Sequence, residues 1–167
     1  MRPTMTCAVL GIMLSLAALT ALAAARSGDD PRAAVSRLLD ELHDAASQAD
    51  GARYFALFAP DAVFLGTDAT ERWPIAEFRT YAQARFDAGT GWTYHLIKDK
   101  RFITIGEDGL TAWFDELLTN ARYDTCRGSG VLRRTGDAWR IAQYNLALTI
   151  PNDVASDVVA LIKANEK

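Results

Sequence analysis

The chain has little of what metal and redox chemistry needs: two histidines and two cysteines in 167 residues. No pair of His, Cys or carboxylate residues has the spacing of metal ligands, so no metal and no cofactor is expected. A nucleophilic cysteine needs an adjacent base, and neither His43 nor His95 is placed by sequence to serve Cys126. There is no excess of positive charge either: 18 Lys and Arg stand against 21 Asp and Glu. That argues against nucleic acid, which calls for a basic patch, and against a polybasic membrane anchor. "RGSGVL" is not a phosphate loop, because no Lys-Ser/Thr follows it. Internal repeats and low-complexity tracts are absent, and the length suggests one domain.

The one long apolar run is N-terminal. In "MRPTMTCAVLGIMLSLAALTALAAARSGDD" a single early cation, Arg2, precedes a run from Ala8 to about Leu22, and small residues in A-x-A order follow. This pattern predicts a secretory signal peptide over 1–25, cleaved between Leu22 and Ser27; the alternative is an uncleaved anchor. The run is short for a bilayer span, which needs about 20 residues. The rest of the chain, 26–167, is then periplasmic or secreted, with no stable membrane span. Losing Arg2 and no acid takes the formal charge from −3 to −4 (17 − 21). Cys126 is left as the only cysteine, so no intrachain disulfide forms and the core alone must hold the fold.

The remaining chain divides into helices and then strands. "DDPRAAVSRLLDELHDAASQADG" predicts a helix capped by Asp29 or Asp30, started by Pro31 and ended by Gly51, with Val35, Leu38, Leu39, Leu42, Ala45 and Ala46 as its apolar stripe. His43 falls on its polar side and is expected in solvent. "RYFALFAP" predicts a short second helix, "AVFLG" a strand, "TDATERW" a loop and "PIAEFRTYAQARFDAG" a third helix. From Gly91 the period changes to that of strands: "GWTYHLIKDKRFITI", "LTAWFDELLTNARY", "TCRGSGVLRR" and "AWRIAQYNLALTI", separated by hairpin-sized turns. His95 faces outward in this reading. "IPNDVASDVVALIKANEK" predicts a C-terminal helix. The order implies an α+β fold, a sheet packed on helices.

Asp115 and Glu116 are adjacent carboxylates within an apolar strand, so at most one of them faces the interior. Taking Tyr123-Asp124 as a two-residue turn places Asp115 opposite Leu132. Even-length turns then put Trp113, Asp115 and Leu117 on one face with Gly128, Gly130, Leu132, Trp139, Ile141, Gln143 and Asn145. Glu116 goes to the opposite face, among Arg127, Arg133 and Arg140. The two glycines leave room for a ligand, and Gln143 and Asn145 surround that room with neutral hydrogen-bonding groups. Asp115 is the candidate base there, desolvated and so raised in pKa, or else a carboxylate that only bonds a backbone amide. Trp73 forms the pocket rim, with Tyr54 and Tyr94 nearby, or lies in the core. An odd turn or a bulge would reverse these faces.

"YFALFAPDAVFLGTDATERW", "AWFDELL", "CRGSGVLRR" and "WRIAQYNLALTIPND" together give the chain a resemblance to the nuclear transport factor 2-like superfamily, and within it to the SnoaL-like domain family, over about residues 31–150. The resemblance implies a cone: a strongly bent antiparallel or mixed sheet wrapped around three N-terminal helices, with a pocket at the wide end. It also implies that an Asp or His on the inner sheet face does proton abstraction in catalytic members, the kind of place Asp115 would occupy. Members include isomerases, cyclases, dehydratases and proteins without activity, so the fold alone does not fix the function. Related domains often carry histidines where this chain has Gln143 and Asn145, which favours binding over acid–base work.

The expectation is an exported domain that binds a small, largely apolar molecule in a pocket of Tyr54, Trp73, Tyr94, Trp113, Asp115, Gln143 and Asn145. The alternative is an acid–base enzyme of isomerase, cyclase or dehydratase type with Asp115 as proton acceptor. A homodimer is expected through the other sheet face, where Phe114, Leu118, Val131, Ala142, Tyr144, Leu146 and Leu148 alternate into an apolar patch. The competing cover for that patch is the C-terminal helix.

Overall fold

The structure is a computed structural model, described for residues 30–165. The signal-peptide reading of residues 1–25 lies outside the described residues. Three helices come first. Helix α1 (Pro31–Ser47) buries Val35, Leu39, Leu42, Ala45 and Ala46, the stripe its period predicts. Ala49 ends it in the left-handed region at φ 56°. Asp50 then caps α2 (Gly51–Ala56) by accepting the Arg53 N–H at 3.0 Å. Helix α3 (Ile75–Asp87) buries Ile75, Phe78, Ala82 and Phe86.

The strands are β1 (Phe58–Leu65), β2 (Arg72–Pro74), β3 (His95–Ile105), β4 (Thr111–Asn120), β5 (Asp124–Thr135) and β6 (Ala138–Leu148). A 3-10 turn (Asn152–Val154) leads into α4 (Ala155–Asn165), which buries none of its residues. The sheet is six-stranded and mixed, in the order β2-β1-β6-β5-β4-β3, with β1 and β6 parallel and all other pairs antiparallel. The fold is α+β. One core cluster joins the helix stripes to the inner sheet face. The second helix is shorter than expected, because β1 already begins at Phe58, and the expected loop before Trp73 closes into β2.

The expected faces are exchanged for β4 and for the end of β6, for two local reasons, whereas Gly128, Gly130, Leu132, Trp139 and Ile141 share the inner face as expected. The β4–β5 turn has three residues, Ala121, Arg122 and Tyr123, because Asn120 pairs with Asp124. The Asn120 Oδ1 accepts the N–H groups of Arg122 (2.9 Å) and Tyr123 (3.1 Å). Asp124 closes the turn at φ 56°, the left-handed residue that a three-residue hairpin requires. An odd turn moves every β4 side chain to the other face. Asp115 therefore lies opposite Ser129 on the exposed face, and Glu116 lies opposite Gly128, fully buried.

The second reason is a bulge in β6. Val131 pairs with Gln143 but Leu132 pairs with Ile141, so Ala142 is the extra residue. Trp139 and Ile141 face in before it, Tyr144 and Leu146 after it. Gln143 and Asn145 accordingly turn away from the core. Gly130 permits the close approach there, since a Cβ would stand 2.1 Å from the Gln143 carbonyl oxygen.

The outer face also differs in content from expectation. Phe114, Leu118, Tyr144 and Leu146 are buried in the core instead. Arg133 pairs with Asp61, and Arg140 donates to the Trp139 carbonyl, so neither meets Glu116. Phe102 (59% exposed) and Trp113 (49%) are the large rings that the outer face shows to solvent.

Candidate functional site

A cavity of about 330 Å³ opens between the C-terminal turn of α1, the C-terminal half of α3, the β4–β5 turn and the inner ends of β1 and β6. Such a volume suits a small molecule. Two fastenings shape its mouth. The Trp92 N–H donates to the Ala46 carbonyl at 3.1 Å. Asn120 Nδ2 donates to the Thr93 carbonyl at 2.9 Å, tying the β4–β5 turn to the segment before β3.

One wall is a ladder of near-parallel rings. Phe64 stacks on Phe78 (centroids 4.0 Å apart, 5°) and on Tyr144 (5.6 Å, 12°), and Phe78 continues to Trp92 (5.9 Å, 22°). Tyr54, Tyr94 and Tyr144 add phenol groups to the lining. Burial raises all three pKa values, that of Tyr94 to about 12. They remain protonated at neutral pH, and none has a protein hydrogen-bond partner among the described residues.

Beside these rings lies a buried ionic chain. His43 Nε2 is 2.7 Å from Glu116 Oε1. Arg101 Nε donates to Glu116 Oε2 at 2.7 Å. Arg101 Nη1 reaches α1, donating to the Ser36 carbonyl (3.0 Å), to Ser36 Oγ (3.1 Å) and to Asp40 Oδ1 (2.6 Å). Glu116 is wholly buried and the Arg101 side chain is 6% exposed. Burial alone would raise the Glu116 carboxyl, but the His43 hydrogen bond and the Arg101 charge outweigh it and hold it below the usual carboxylate range. Burial likewise opposes charge on Arg101, and the Glu116 and Asp40 carboxylates reverse that effect.

An ionised Glu116 can only accept hydrogen bonds. The His43 Nε2 nitrogen must therefore carry the proton between them. His43 lines the cavity with its side chain 12% exposed. An imidazole oriented by a buried carboxylate thus borders an aromatic pocket. Among the described residues no group of three or more His, Cys, Asp or Glu is gathered to hold a metal ion.

The profile of the SnoaL-like domain matches residues 35–151, more than half of the chain. The chain belongs to the SnoaL-like domain family. A comparison with curated proteins gives no match. Among solved structures, this SnoaL-like chain is similar to a nuclear transport factor 2-like protein of unknown function from Pseudomonas putida, with 14% identity, 76% of this chain and 94% of that one covered, and a TM-score of 0.58. It is also similar to a protein from Streptomyces avermitilis, provisionally called a dehydratase of the same superfamily, at 15% identity, 72% and 97% coverage and a TM-score of 0.56. A cystatin-like fold from Nostoc punctiforme aligns over 83% of this chain and all of its own, at 14% identity and a TM-score of 0.62. At these identities the likeness concerns the fold.

Of the residues expected to form the site, the cavity gathers Tyr54 and Tyr94. Trp73 stacks on the lining residue Tyr81 (5.3 Å, 20°) and stands one ring behind the cavity. Trp113, Asp115, Gln143 and Asn145 are not on the lining and belong to the other sheet face. His43, Glu116, Arg101 and Tyr144 stand at the cavity or directly behind it and were not among the expected site residues. A signal for His43 was present: with Leu39, Leu42 and Ala46 it completes an i, i+3, i+4, i+7 stripe, which places it on the buried side of α1.

Proposed function

We propose that this SnoaL-like domain binds a small, largely apolar molecule in the aromatic cavity and moves a proton on it, with His43 as the base. The observation that carries this reading is the 2.7 Å contact between His43 Nε2 and the buried Glu116 carboxylate, which fixes the ring so that Nδ1 is the accepting nitrogen. His43 Nδ1 takes the proton from a C–H group next to a carbonyl. The carbonyl oxygen gains the negative charge, and a buried phenol, Tyr54 or Tyr144, donates a hydrogen bond to it. Glu116 stabilises the imidazolium, and Arg101 keeps Glu116 ionised. The proton then goes to a departing hydroxyl, which leaves as water, or to another carbon, giving an isomer. A positioned base of this kind contributes about 10²–10⁴-fold. The provisional dehydratase name of the Streptomyces avermitilis relative agrees with the first outcome.

Deuterium uptake by cyclic β-hydroxy ketones in D₂O, followed by proton NMR, tests the reading. The protein accelerates exchange next to the carbonyl, and His43→Gln abolishes the acceleration while the variant stays folded. Equal exchange by parent and variant overturns His43 as the base.

Two further parts of the reading rest on the sequence. The Arg2, apolar-run and A-x-A order supports export and cleavage between Leu22 and Ser27, and the mass of the protein isolated from its host tests it; an intact Met1 ends it. The exposed rings Phe102 and Trp113 on the outer sheet face support a homodimer through that face.

A further inference from the structure

Two arginines stand on the lining of the cavity without a carboxylate partner among the described residues. The Arg85 guanidinium lies 5.5 Å from the centre of the Trp92 ring, and that of Arg122 lies 5.1 Å from the centre of Tyr123. All four residues line the cavity. Both arginines are exposed, whereas His43 and Tyr144 lie inward. The other arginines in ion pairs serve the fold: Arg53 holds Glu41 and Asp44, Arg101 holds Glu116 and Asp40, Arg133 holds Asp61 and Arg134 holds Asp137. Arg85 and Arg122 instead lie over aromatic rings, contacts that limit the freedom of the guanidinium before it meets an anion. The one acid on the lining, Glu71, is turned to its own loop, where its Oε2 accepts the Asp68 N–H at 3.2 Å.

We infer that the ligand is a flat aromatic or conjugated carboxylate, its ring along the Phe64–Phe78–Trp92 wall and its carboxylate at the mouth between Arg85 and Arg122. This deepens the reading above and rests on it for the cavity as the binding site. The chemistry of recognition has two parts. Rings already stacked on one another offer their edges to a flat apolar body in edge-to-face contact, and a guanidinium offers paired N–H donors to a carboxylate. Placing the anion at the mouth leaves the opposite end of the ligand beside His43, away from the arginine charges. A neutral ligand would leave both guanidinium groups unused, and a cation would meet an excess of positive charge at the entrance.

The test uses 2-naphthoate, its methyl ester and naphthalene as probes, with binding read from tryptophan fluorescence and from calorimetry. The expected result is that 2-naphthoate binds about tenfold or more tightly than the ester, and that its affinity falls with added salt while that of naphthalene does not. Arg122→Gln and Arg85→Gln each weaken naphthoate binding by about tenfold and leave naphthalene binding unchanged. Arg122→Lys, which keeps the charge and loses the paired donors, falls between. Equal affinity for acid and ester, no binding of either, or naphthoate binding that survives in the Arg85→Gln/Arg122→Gln double variant overturns the inference. Binding is read without turnover. A protein that binds naphthoate but exchanges no proton would sink the catalytic reading alone, and one that exchanges ketone protons but ignores the carboxylate would sink this inference alone.

Discussion

Gly128 and Glu116 face each other across β4 and β5, and the missing Cβ of Gly128 makes room for the buried carboxylate. A Cβ built at Gly128 would stand 2.7 Å from the Tyr144 hydroxyl and 3.1 Å from Glu116 Oε1. Tyr144 is a rigid side chain, 4% exposed, and Glu116 is pinned by His43 and Arg101, so neither can give way cheaply. Gly128→Ala is expected to destabilise the protein by about 1–3 kcal/mol, as overpacking does, and to displace the carboxylate from His43. Urea unfolding measures the first effect and ketone deuterium exchange the second. A variant with parental stability and exchange would show that the contact is slack.

Breaking the buried ion pair has a larger effect than removing it whole. Glu116→Leu leaves Arg101 charged and buried with its Nη2 nitrogen already unpartnered. Arg101→Met leaves Glu116 charged beside His43. Each single change is expected to cost about 3–5 kcal/mol. The Arg101→Met/Glu116→Leu double variant is expected to lose less than the sum of the singles, since no lone charge remains buried. Chemical denaturation of the four proteins closes the cycle, and simple additivity would mean that the two groups do not interact.

Much of the fold was legible because it follows from period and punctuation. The α1 stripe, the Pro74 start of α3 and the long strand runs after Gly91 all depend on side-chain pattern alone. The face assignment was not legible, because it hangs on single residues of backbone. One odd turn after Asn120 and one extra residue at Ala142 exchange the roles of Asp115 and Glu116 and send Gln143 and Asn145 outward. A third irregularity acts in β3, where Asp99 at φ 59° lies within the register shift between Leu96 and Arg101 and brings Arg101 opposite Glu116. The site is built from three such irregular places, and alternation cannot foresee them.

Asn120 offers a check on the first of these. Its side chain makes three hydrogen bonds, two to its own turn and one to Thr93 at the cavity mouth. Asn120→Ala is expected to cost about 1–3 kcal/mol and to weaken 2-naphthoate binding, because Arg122 sits in that turn. Calorimetric unfolding together with the binding titration reads both. Weakened stability with unchanged binding would separate the turn from the mouth.

The pH dependence of stability follows from Glu116. Its folded-state pKa is lowered, so its contribution is present in full above the unfolded value, about 4.3, and is lost as pH falls through the folded value. The groups facing it are His43 and Arg101, with Asp40 beyond the arginine and the Tyr144 phenol nearby. Glu116→Gln is expected to be less stable than the parent at pH 7, with the gap narrowing below about pH 4 as the parent carboxylate becomes protonated. Urea midpoints of both proteins from pH 7 to pH 3 give the comparison. A gap that stays constant through the acid range would mean that Glu116 is not held as a carboxylate.

Phe102 pairs with Asp115 and Thr104 with Trp113, so Phe102 and Trp113 are diagonal neighbours on the outer sheet face, 59% and 49% exposed. Half-buried Leu117 and Val131 extend the patch across β4 and β5. Its charges are of both signs, with Asp115 on β4 and Arg127 on β5, so a second copy turned by a two-fold axis can place acid against base around a shared apolar centre. Light scattering at micromolar concentration is expected to give twice the chain mass. Trp113→Glu puts like charges at the centre of the contact and is expected to give a monomer. Trp113 is not on the cavity lining, so the variant should bind 2-naphthoate as the parent does. A parent protein that runs as a monomer would show that these rings face solvent.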